Sequence, residues 1–230
     1  VEKDGQRFFV KCHFGVGWRE IFKNLFQLRW PVIGAGNEFK ALIKLKLLGV
    51  SSLTPVLFVS EGLNPAYQRS CIITKALEGT KSLEEMFESQ DVAFPLKCSL
   101  VRKLGLIART LHENGINHRD FYLCHFHYVV NGKEPSLYLI DLHRAQLRNR
   151  TPARWRIKDV GGLFFSGFNY NITLRDVLRF MNVYSGKTLR RTLIEDAGFW
   201  REAYKRAIRL YLQDHENLPG WIIRMGTKSK

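Results

Sequence analysis

The sequence predicts an α+β fold, with a small antiparallel sheet and its helices in the first third of the chain and a mainly helical remainder. Three observations carry the prediction. Short runs rich in β-branched and aromatic residues cluster before residue 75, at 7–13, 55–59 and 71–74. After Gly79 the apolar residues recur at spacings of three and four, interrupted by one hairpin pattern around Asn131-Gly132. The length of 230 residues, 45% of them hydrophobic and evenly spread, suits one large domain or two small lobes.

Each element has its own signal. Residues 7–13 follow the turn pair Asp4-Gly5 and read as the second strand of a hairpin that carries Lys11. Residues 18–30 read as a basic helix, with Ile21, Leu25 and Leu28 on one face, Arg19, Lys23 and Arg29 elsewhere, and Pro31 as its stop. Asn37 opens a stronger helix over 38–48, with Glu38 in its first turn, Phe39, Leu42, Ile43, Leu45 and Leu48 as its buried stripe, and Gly49 at its end. The strands at 55–59 and 71–74 complete the sheet. Ser82-Leu83-Glu84-Glu85 resembles a capping box and starts a short helix over 82–87. A long helix follows over 96–114, its apolar positions Leu100, Leu104, Ile107, Ala108 and Leu111 ending at Gly115. Residues 118–124 are polar, aromatic and irregular, and the strands 126–130 and 136–140 flank the Asn131-Gly132 turn. Residues 141–155 hold Arg144, Arg148, Arg150 and Arg154 with few apolar residues, and read as an exposed basic loop. Helices at roughly 158–168, 173–184, 188–196 and 199–215 close the chain. No internal repeat or low-complexity tract is present.

Composition excludes several classes. No run approaches the roughly 18 consecutive apolar residues of a membrane-spanning helix. Cys12, Cys71, Cys98 and Cys124 stand singly with no CxxC pair, so neither a zinc knuckle nor a disulfide framework is expected, and all read as thiols in a reducing compartment. Val1 to Gly5 shows no secretion signal, so a cytosolic face is expected. With 36 Lys plus Arg against 21 Asp plus Glu, the net charge of +15 calls for an anionic partner: nucleic acid, an anionic lipid surface or a phosphorylated small molecule. No zinc, helix-turn-helix or RNA-binding signature supports a specific nucleic-acid site.

The most informative segment is His118-Arg119-Asp120-Phe121-Tyr122-Leu123-Cys124-His125, followed after a hairpin by Ile140-Asp141-Leu142-His143. It resembles the protein-kinase catalytic loop H-R-D-x-x-x-x-N, with His125 at the asparagine position and Asp141-Leu142-His143 at the D-F-G position. The strings NHRDFYLCHF and IDLHRAQ, with RWRIKD downstream and PVIGAGNEF upstream, resemble the bacterial lipopolysaccharide core heptose kinase family over most of residues 7–182. That resemblance implies a protein-kinase-like bilobal fold. Its small antiparallel-sheet N-lobe is 1–77 and its mainly helical C-lobe 78–230, with ATP between them.

The resemblance also implies roles. Phosphoryl transfer needs a carboxylate that orients and deprotonates the attacking hydroxyl, ligands for Mg2+ and a cation on the nucleotide phosphates. Asp120 is the candidate base; its plain alternative is a turn cap or a salt bridge to Arg119. Asp141, at the end of an apolar strand, is the candidate magnesium ligand. His125 is a weaker second ligand, since magnesium prefers oxygen, and binding through water or a hydrogen bond to Asp120 are its alternatives. Lys11 matches the lysine on the α- and β-phosphates, and Glu38 its ion-pair partner, in competition with Glu20. Lys75 and Leu77 fall where a kinase hinge would meet adenine through its backbone. Asp159 and His118 match structural residues that brace the catalytic loop. His143, Arg144, Arg148, Arg154 and Arg156 either contact an anionic acceptor or form a solvated surface.

Two departures stand out. Only ten residues precede Lys11, with Gly5 their single glycine, so the glycine-rich phosphate lid is expected to be missing from this chain or irregular. Phe121 stands where close relatives often carry a cysteine. The function expected is an ATP-dependent kinase of a heptose of the lipopolysaccharide inner core, peripheral at the cytoplasmic face of the inner membrane. The basic, Trp-bearing segment 18–30 would contact anionic membrane or glycolipid, or else pack between domains. Transfer to another acceptor, such as a protein or other sugar, and a non-catalytic scaffold that binds nucleotide or anions are the alternatives. The sequence leaves the heptose hydroxyl and the oligomeric state undefined.

Overall fold

The computed structural model describes residues 1–26, 31–89, 92–131, 134–170 and 172–220. The chain divides into two compact units, Val1–Gly79 with Leu139–Gln146, and Thr80–Tyr138 with Leu147–Lys230.

The first unit is built on an antiparallel sheet of order β1-β2-β4-β3, with β1 at Glu2–Lys3, β2 at Gln6–His13, β3 at Pro55–Glu61 and β4 at Arg69–Lys75. Asp4 and Gly5 both have positive φ, 52° and 69°, as a tight two-residue hairpin turn demands. Alternate residues of β4, Ser70, Ile72 and Thr74, are buried, so one face of the strand is a core face. Helix α2 (Gly36–Leu47) packs on β3 and β4, burying Ala41, Leu42 and Leu45 and stacking Phe39 on Phe58 at 5.2 Å. Ile43, expected in the stripe, is exposed; with 3.6 residues per turn, Glu38, Ala41, Leu42 and Leu45 share the inner face and Ile43 falls on the outer side with the exposed Leu47. The helix starts on Ala35 rather than Asn37, whose side chain is used elsewhere. Helix α1 (Gly17–Phe26) buries Ile21 alone, and Leu25 is exposed. The expected positions Leu28 and Arg29 lie outside the described residues.

The cysteine expectation is corrected here. Cys12 of β2 and Cys71 of β4 stand directly opposite in register, with Cα atoms 4.2 Å apart, and form a disulfide. The pairing joins residues 59 apart in the chain through sheet register, which local spacing does not display. Cys98 and Cys124 are free thiols.

The second unit holds a three-stranded sheet of order β5-β7-β8, from β5 (Lys81–Ser82), β7 (Phe126–Asn131) and β8 (Glu134–Leu139). A short strand β6 (Ile116–Asn117) leads into the 118–125 loop. The turn residue Gly132 lies outside the described residues. Helices α3 (Leu83–Glu88), α4 (Phe94–Glu113), α5 (Ala153–Gly167), α6 (Leu174–Ser185), α7 (Leu189–Glu195) and α8 (Ala197–Asp214) make up the rest. Ser82 and Glu85 close the capping box read from the sequence, and Thr173 with Asp176 closes a second. Leu100, Leu104, Ala108 and Leu111 of α4 are buried, as are Val160 and Leu163 of α5 and Trp200 and Ala207 of α8. Gly161 lets α5 approach α8, since a Cβ there would stand 3.0 Å from the Ala203 carbonyl oxygen.

The exposed loop expected over 141–155 is also corrected. Leu142, Ala145 and Thr151 are buried between the arginines, and α5 begins at Ala153 rather than near 158. One small or apolar anchor every few residues suffices to pin a segment whose overall composition looks solvated. Among the described residues, no helix is long and apolar enough to cross a membrane.

Candidate active site

The first unit gathers three of the expected residues. Lys11 sits on β2 with its Nζ 3.0 Å from Glu38 Oε2 and 3.4 Å from Asp141 Oδ1. Glu38 is buried in the first turn of α2, where the helix dipole favours a carboxylate. Glu20, the competing acid, pairs instead with Lys23 on its own helix at 3.3 Å. Asp141 adopts the left-handed region, φ 58°, and its Oδ1 also meets His143 Nδ1 at 2.5 Å. The segment after it is clamped by Asn37, whose Nδ2 donates to the carbonyls of His143 at 3.2 Å and Ala145 at 2.5 Å. This role of Asn37 was not read from the sequence; the only signal was its position before Glu38. Burial, followed by the charge of Lys11, holds the neighbouring His13 below the ordinary histidine range.

Lys75 and Leu77 lie apart from this group, at the end of β4. The Lys75 amide donates to the Thr54 carbonyl at 2.9 Å, the Ala76 amide to that of Arg7 at 2.9 Å, and Leu77 is half-buried beyond them.

The second unit holds Asp120 and His125 on one loop. Asp159, fully buried on α5, accepts from the His118 amide at 2.7 Å and the Arg119 amide at 2.9 Å, and lies 3.3 Å from His112 Nε2. His112 in turn meets the Tyr184 hydroxyl at 2.8 Å. Sequence reasoning singled out Asp159 and His118 but not His112, which looked like one more residue of a helix end. Arg119 is held at φ 78°, a conformation rare for a residue with a Cβ. Asp120 follows it and is half-buried; its carbonyl accepts from the Tyr122 amide at 3.0 Å and meets His125 Nδ1 at 2.6 Å. The imidazole therefore supports the loop from within. Phe121 is buried edge-on against Phe126 at 4.9 Å, so it is core. A Cβ on Gly162 would stand 3.1 Å from the Tyr122 ring, so this glycine of α5 lets the loop seat closely.

The fit to magnesium differs between the two expected ligands. Asp141 offers oxygen of the kind Mg2+ takes, whereas His125 offers nitrogen and spends its Nδ1 on the Asp120 carbonyl. Among the described residues no group of three or more His, Cys, Asp or Glu could hold a metal by itself.

Of the basic residues, Arg148 gives its Nη1 to Asn117 Oδ1, Arg156 lies over Phe199 at 5.6 Å, and Arg119, Arg148, Arg154 and Lys158 surround Trp155. Burial, then the charge of Arg154, lowers the Arg148 guanidinium below its ordinary value.

Comparison with known proteins places this geometry in context. Residues 1–184 match the model of the lipopolysaccharide kinase (Kdo/WaaP) family. The chain is 42% identical over 216 residues to the lipopolysaccharide core heptose(I) kinase WaaP of Escherichia coli, covering 91% of this chain and 82% of that protein. To the protein of the same name from Pseudomonas aeruginosa it is 40% identical over 218 residues, covering 92% and 81%. A solved structure of WaaP in complex with acyl carrier protein superposes with a TM-score of 0.76 at 34% identity, over 92% of this chain and 83% of that one.

Proposed function

The chain belongs to the lipopolysaccharide kinase (Kdo/WaaP) family and has its protein-kinase-like α+β fold, and from that we propose that it transfers the γ-phosphate of ATP to a heptose hydroxyl of the lipopolysaccharide inner core. The observation that carries the reading is Lys11, whose ammonium stands between Glu38 at 3.0 Å and Asp141 at 3.4 Å. A lysine so held is a cation fixed for nucleotide phosphates, next to a carboxylate suited to their metal.

In this reading the lobe 1–77 carries the nucleotide machinery and the lobe 78–230 the acceptor chemistry. Asp120 orients the acceptor hydroxyl and takes its proton as the oxygen bonds to the γ-phosphorus, and the bond to the β-phosphate oxygen breaks to release ADP. Lys11 steadies the α- and β-phosphates, with Glu38 fixing its position. The backbone around Lys75 and Leu77 meets the adenine, where carbonyls and the Leu77 side chain serve better than the Lys75 amide already given to Thr54. Asp141 would hold Mg2+, which neutralises phosphate charge when bound. His125 acts by holding the Asp120 backbone. Incubation with dephosphorylated core oligosaccharide and labelled ATP should give labelled sugar, lost in Asp120→Asn; no transfer by the wild-type chain refutes the reading.

The acceptor implies a membrane-side location. Trp18, Phe22 and Phe26 project from α1 at i, i+4 and i+8, all exposed, with Phe26 87% exposed and Arg19 and Lys23 on the same helix. An apolar ridge flanked by cations suits shallow insertion into an anionic surface at the cytoplasmic face. Wild-type protein should co-sediment with anionic vesicles, and Trp18→Ser/Phe26→Ser should not. An acyl carrier protein is a second partner: the second unit holds a pocket lined by Phe87, Leu104, Leu163, Phe168 and Val177, a chemistry that accepts an apolar chain.

A further inference from the structure

The second unit carries a cleft of about 900 Å3 in which none of the candidate catalytic residues lies. It opens between the end of α4, the segment that leads into α5, the end of α6 and the start of α8, and its lining includes Arg109, Glu113, Arg150, Lys187, Asp196 and Glu202. We propose that it is a saccharide-binding subsite, which holds sugar residues of the acceptor other than the one whose hydroxyl reaches Asp120. This rests on the acceptor reading given above and adds where the rest of an oligosaccharide is held.

The chemistry of the lining selects the ligand. Its charged side chains are held in pairs of opposite sign: Arg109 Nε lies 2.8 Å from Glu113 Oε1, and Lys187 Nζ 2.9 Å from Asp196 Oδ1. Glycine at 186, with φ 64°, leaves the space that the Arg109 guanidinium occupies, since a Cβ there would collide with it. Phe199, also in the wall, stacks on Tyr184 at 5.6 Å, and Tyr184 meets His112 at 2.8 Å, so this side of the cleft is fixed by packing. A free anion would meet the carboxylates and a free cation the guanidinium groups, and either would give up the hydration of its own charge. A sugar hydroxyl is neutral and both donates and accepts, so it matches both members of each pair. One contact uses only part of the five donors of a guanidinium or of the lone pairs of a carboxylate, and hydroxyls can take the remainder in charge-assisted hydrogen bonds. The volume stands at the upper end of the roughly 300–1,000 Å3 of small-molecule sites, which suits more than one sugar ring.

Position ties the cleft to the catalytic loop. His112 lines it and lies 3.3 Å from Asp159, whose carboxylate accepts from the amides of His118 and Arg119, directly before Asp120. Thr151, another lining residue, donates its hydroxyl to the Ile116 carbonyl at 3.2 Å, on the strand that enters the same loop. The cleft is thus built on the supports of the base, and a saccharide bound there anchors the acceptor while its reacting sugar is presented to Asp120. Binding energy from the parts of a substrate that do not react is what positions the part that does.

The test titrates a fragment of the core oligosaccharide that lacks heptose into wild type, Arg150→Ala/Glu202→Ala and Gly198→Trp, followed by calorimetry. Arg150 and Glu202 are exposed, and a Cβ on Gly198, which also lines the cleft, meets nothing within 4 Å, so all three proteins should share one urea midpoint. The fragment should bind wild type, bind the double variant at least about 10-fold more weakly, the size of one lost hydrogen bond to a charged group, and fail to bind Gly198→Trp, whose indole fills the cleft. In transfer assays at saturating ATP with whole core oligosaccharide, the acceptor KM should rise in the same order, with kcat and the KM for ATP within about twofold. No binding of the fragment by wild type, or equal binding by wild type and Gly198→Trp, overturns the subsite. Fragment binding that the variants lose, with the acceptor KM unchanged, overturns its assignment to the acceptor and points to a separate saccharide. Should wild type transfer nothing, the kinase reading fails, and the fragment titration alone decides the subsite.

Discussion

Asp159→Asn tests the support of the catalytic loop most directly. The carboxylate is fully buried and meets three donors: the His118 amide at 2.7 Å, the Arg119 amide at 2.9 Å and His112 Nε2 at 3.3 Å. The asparagine has the same shape, but one of its two termini is an NH2 that must face an amide N–H. The substitution therefore loses one charge-assisted hydrogen bond and leaves one buried donor unsatisfied. A hydrogen bond to a charged group contributes about 1.5–3 kcal/mol and an orphaned donor costs about 1–3 kcal/mol, so a loss of ~2–5 kcal/mol is expected. With a urea slope of roughly 3 kcal/mol/M for a chain of this size, the midpoint should fall by about 1 M. Activity should fall further than stability alone implies, because Arg119 is released from φ 78° and Asp120 moves with it. A displacement of about 1 Å at a reacting group costs about 10²-fold in rate. Urea unfolding followed by circular dichroism, with kcat measured well below the unfolding midpoint, reads both effects. A variant with the wild-type midpoint and kcat would refute the bracing argument. A lowered midpoint with unchanged kcat would confine Asp159 to stability.

The other expectations concern each unit separately. Lys11→Ala should lower kcat/KM for ATP by about 10²- to 10³-fold, the usual loss when one fixed electrostatic group is removed, and Glu38→Gln by less, in a phosphate-transfer assay. Gly115→Ala should destabilise by roughly 4 kcal/mol in urea unfolding, because φ is +76° and the new Cβ would stand 1.8 Å from the Arg148 carbonyl oxygen. Burial is the largest influence lowering both His13 and His127. The unfolded chain therefore takes up protons first as pH falls through 6.5, so stability should decline from there down to the folded-state values, and His127→Gln should flatten the slope of midpoint against pH in that window. Thiol titration of denatured protein without reductant should find two thiols, Cys98 and Cys124, and four after reduction; four at the outset would exclude the Cys12–Cys71 bond.

What the sequence displayed was local. The Asp4-Gly5 turn, the Ser82 capping box and the stop at Gly115 depend on residues within a few positions of each other, and all can be read from one stretch of chain. Asp120 and Asp141 were singled out by a motif with fixed spacing and Lys11 and Glu38 by the family resemblance, and the fold brings Lys11, Glu38 and Asp141 into contact. What escaped depends on register or on contacts across long separations. Cys12 meets Cys71 only once β2 and β4 pair, Asn37 reaches carbonyls 106 and 108 residues away, and Arg119 meets the ring of Trp155 on a separate element. The basic stretch 141–155 was misjudged for a related reason. Composition averages over a segment, while three buried side chains, Leu142, Ala145 and Thr151, decide where it lies.

Backbone strain links the two loops that carry the candidate carboxylates. Among the described residues, the non-glycine positions with positive φ are Asp4, Arg119 and Asp141. Asp4 belongs to a hairpin turn that requires it. Aspartate tolerates this region through its short polar side chain, but arginine does not, and a residue with a Cβ costs about 1–2 kcal/mol there. Something must hold Arg119, and Asp159 on α5 does so through its amide and that of His118 before it. Asp141 is held by a different helix with the same device: Asn37 on α2 grips the carbonyls of the turn that follows, while Lys11 and His143 fix the carboxylate itself. In each unit a polar side chain on a packed helix offsets the strain of the adjoining loop. The helix is immobile because its apolar face is buried, so the loop inherits that rigidity, and its carboxylate is oriented before any substrate arrives. Phosphoryl transfer asks the protein chiefly for positioning and fixed charge, so two loops pinned this way meet its main demand.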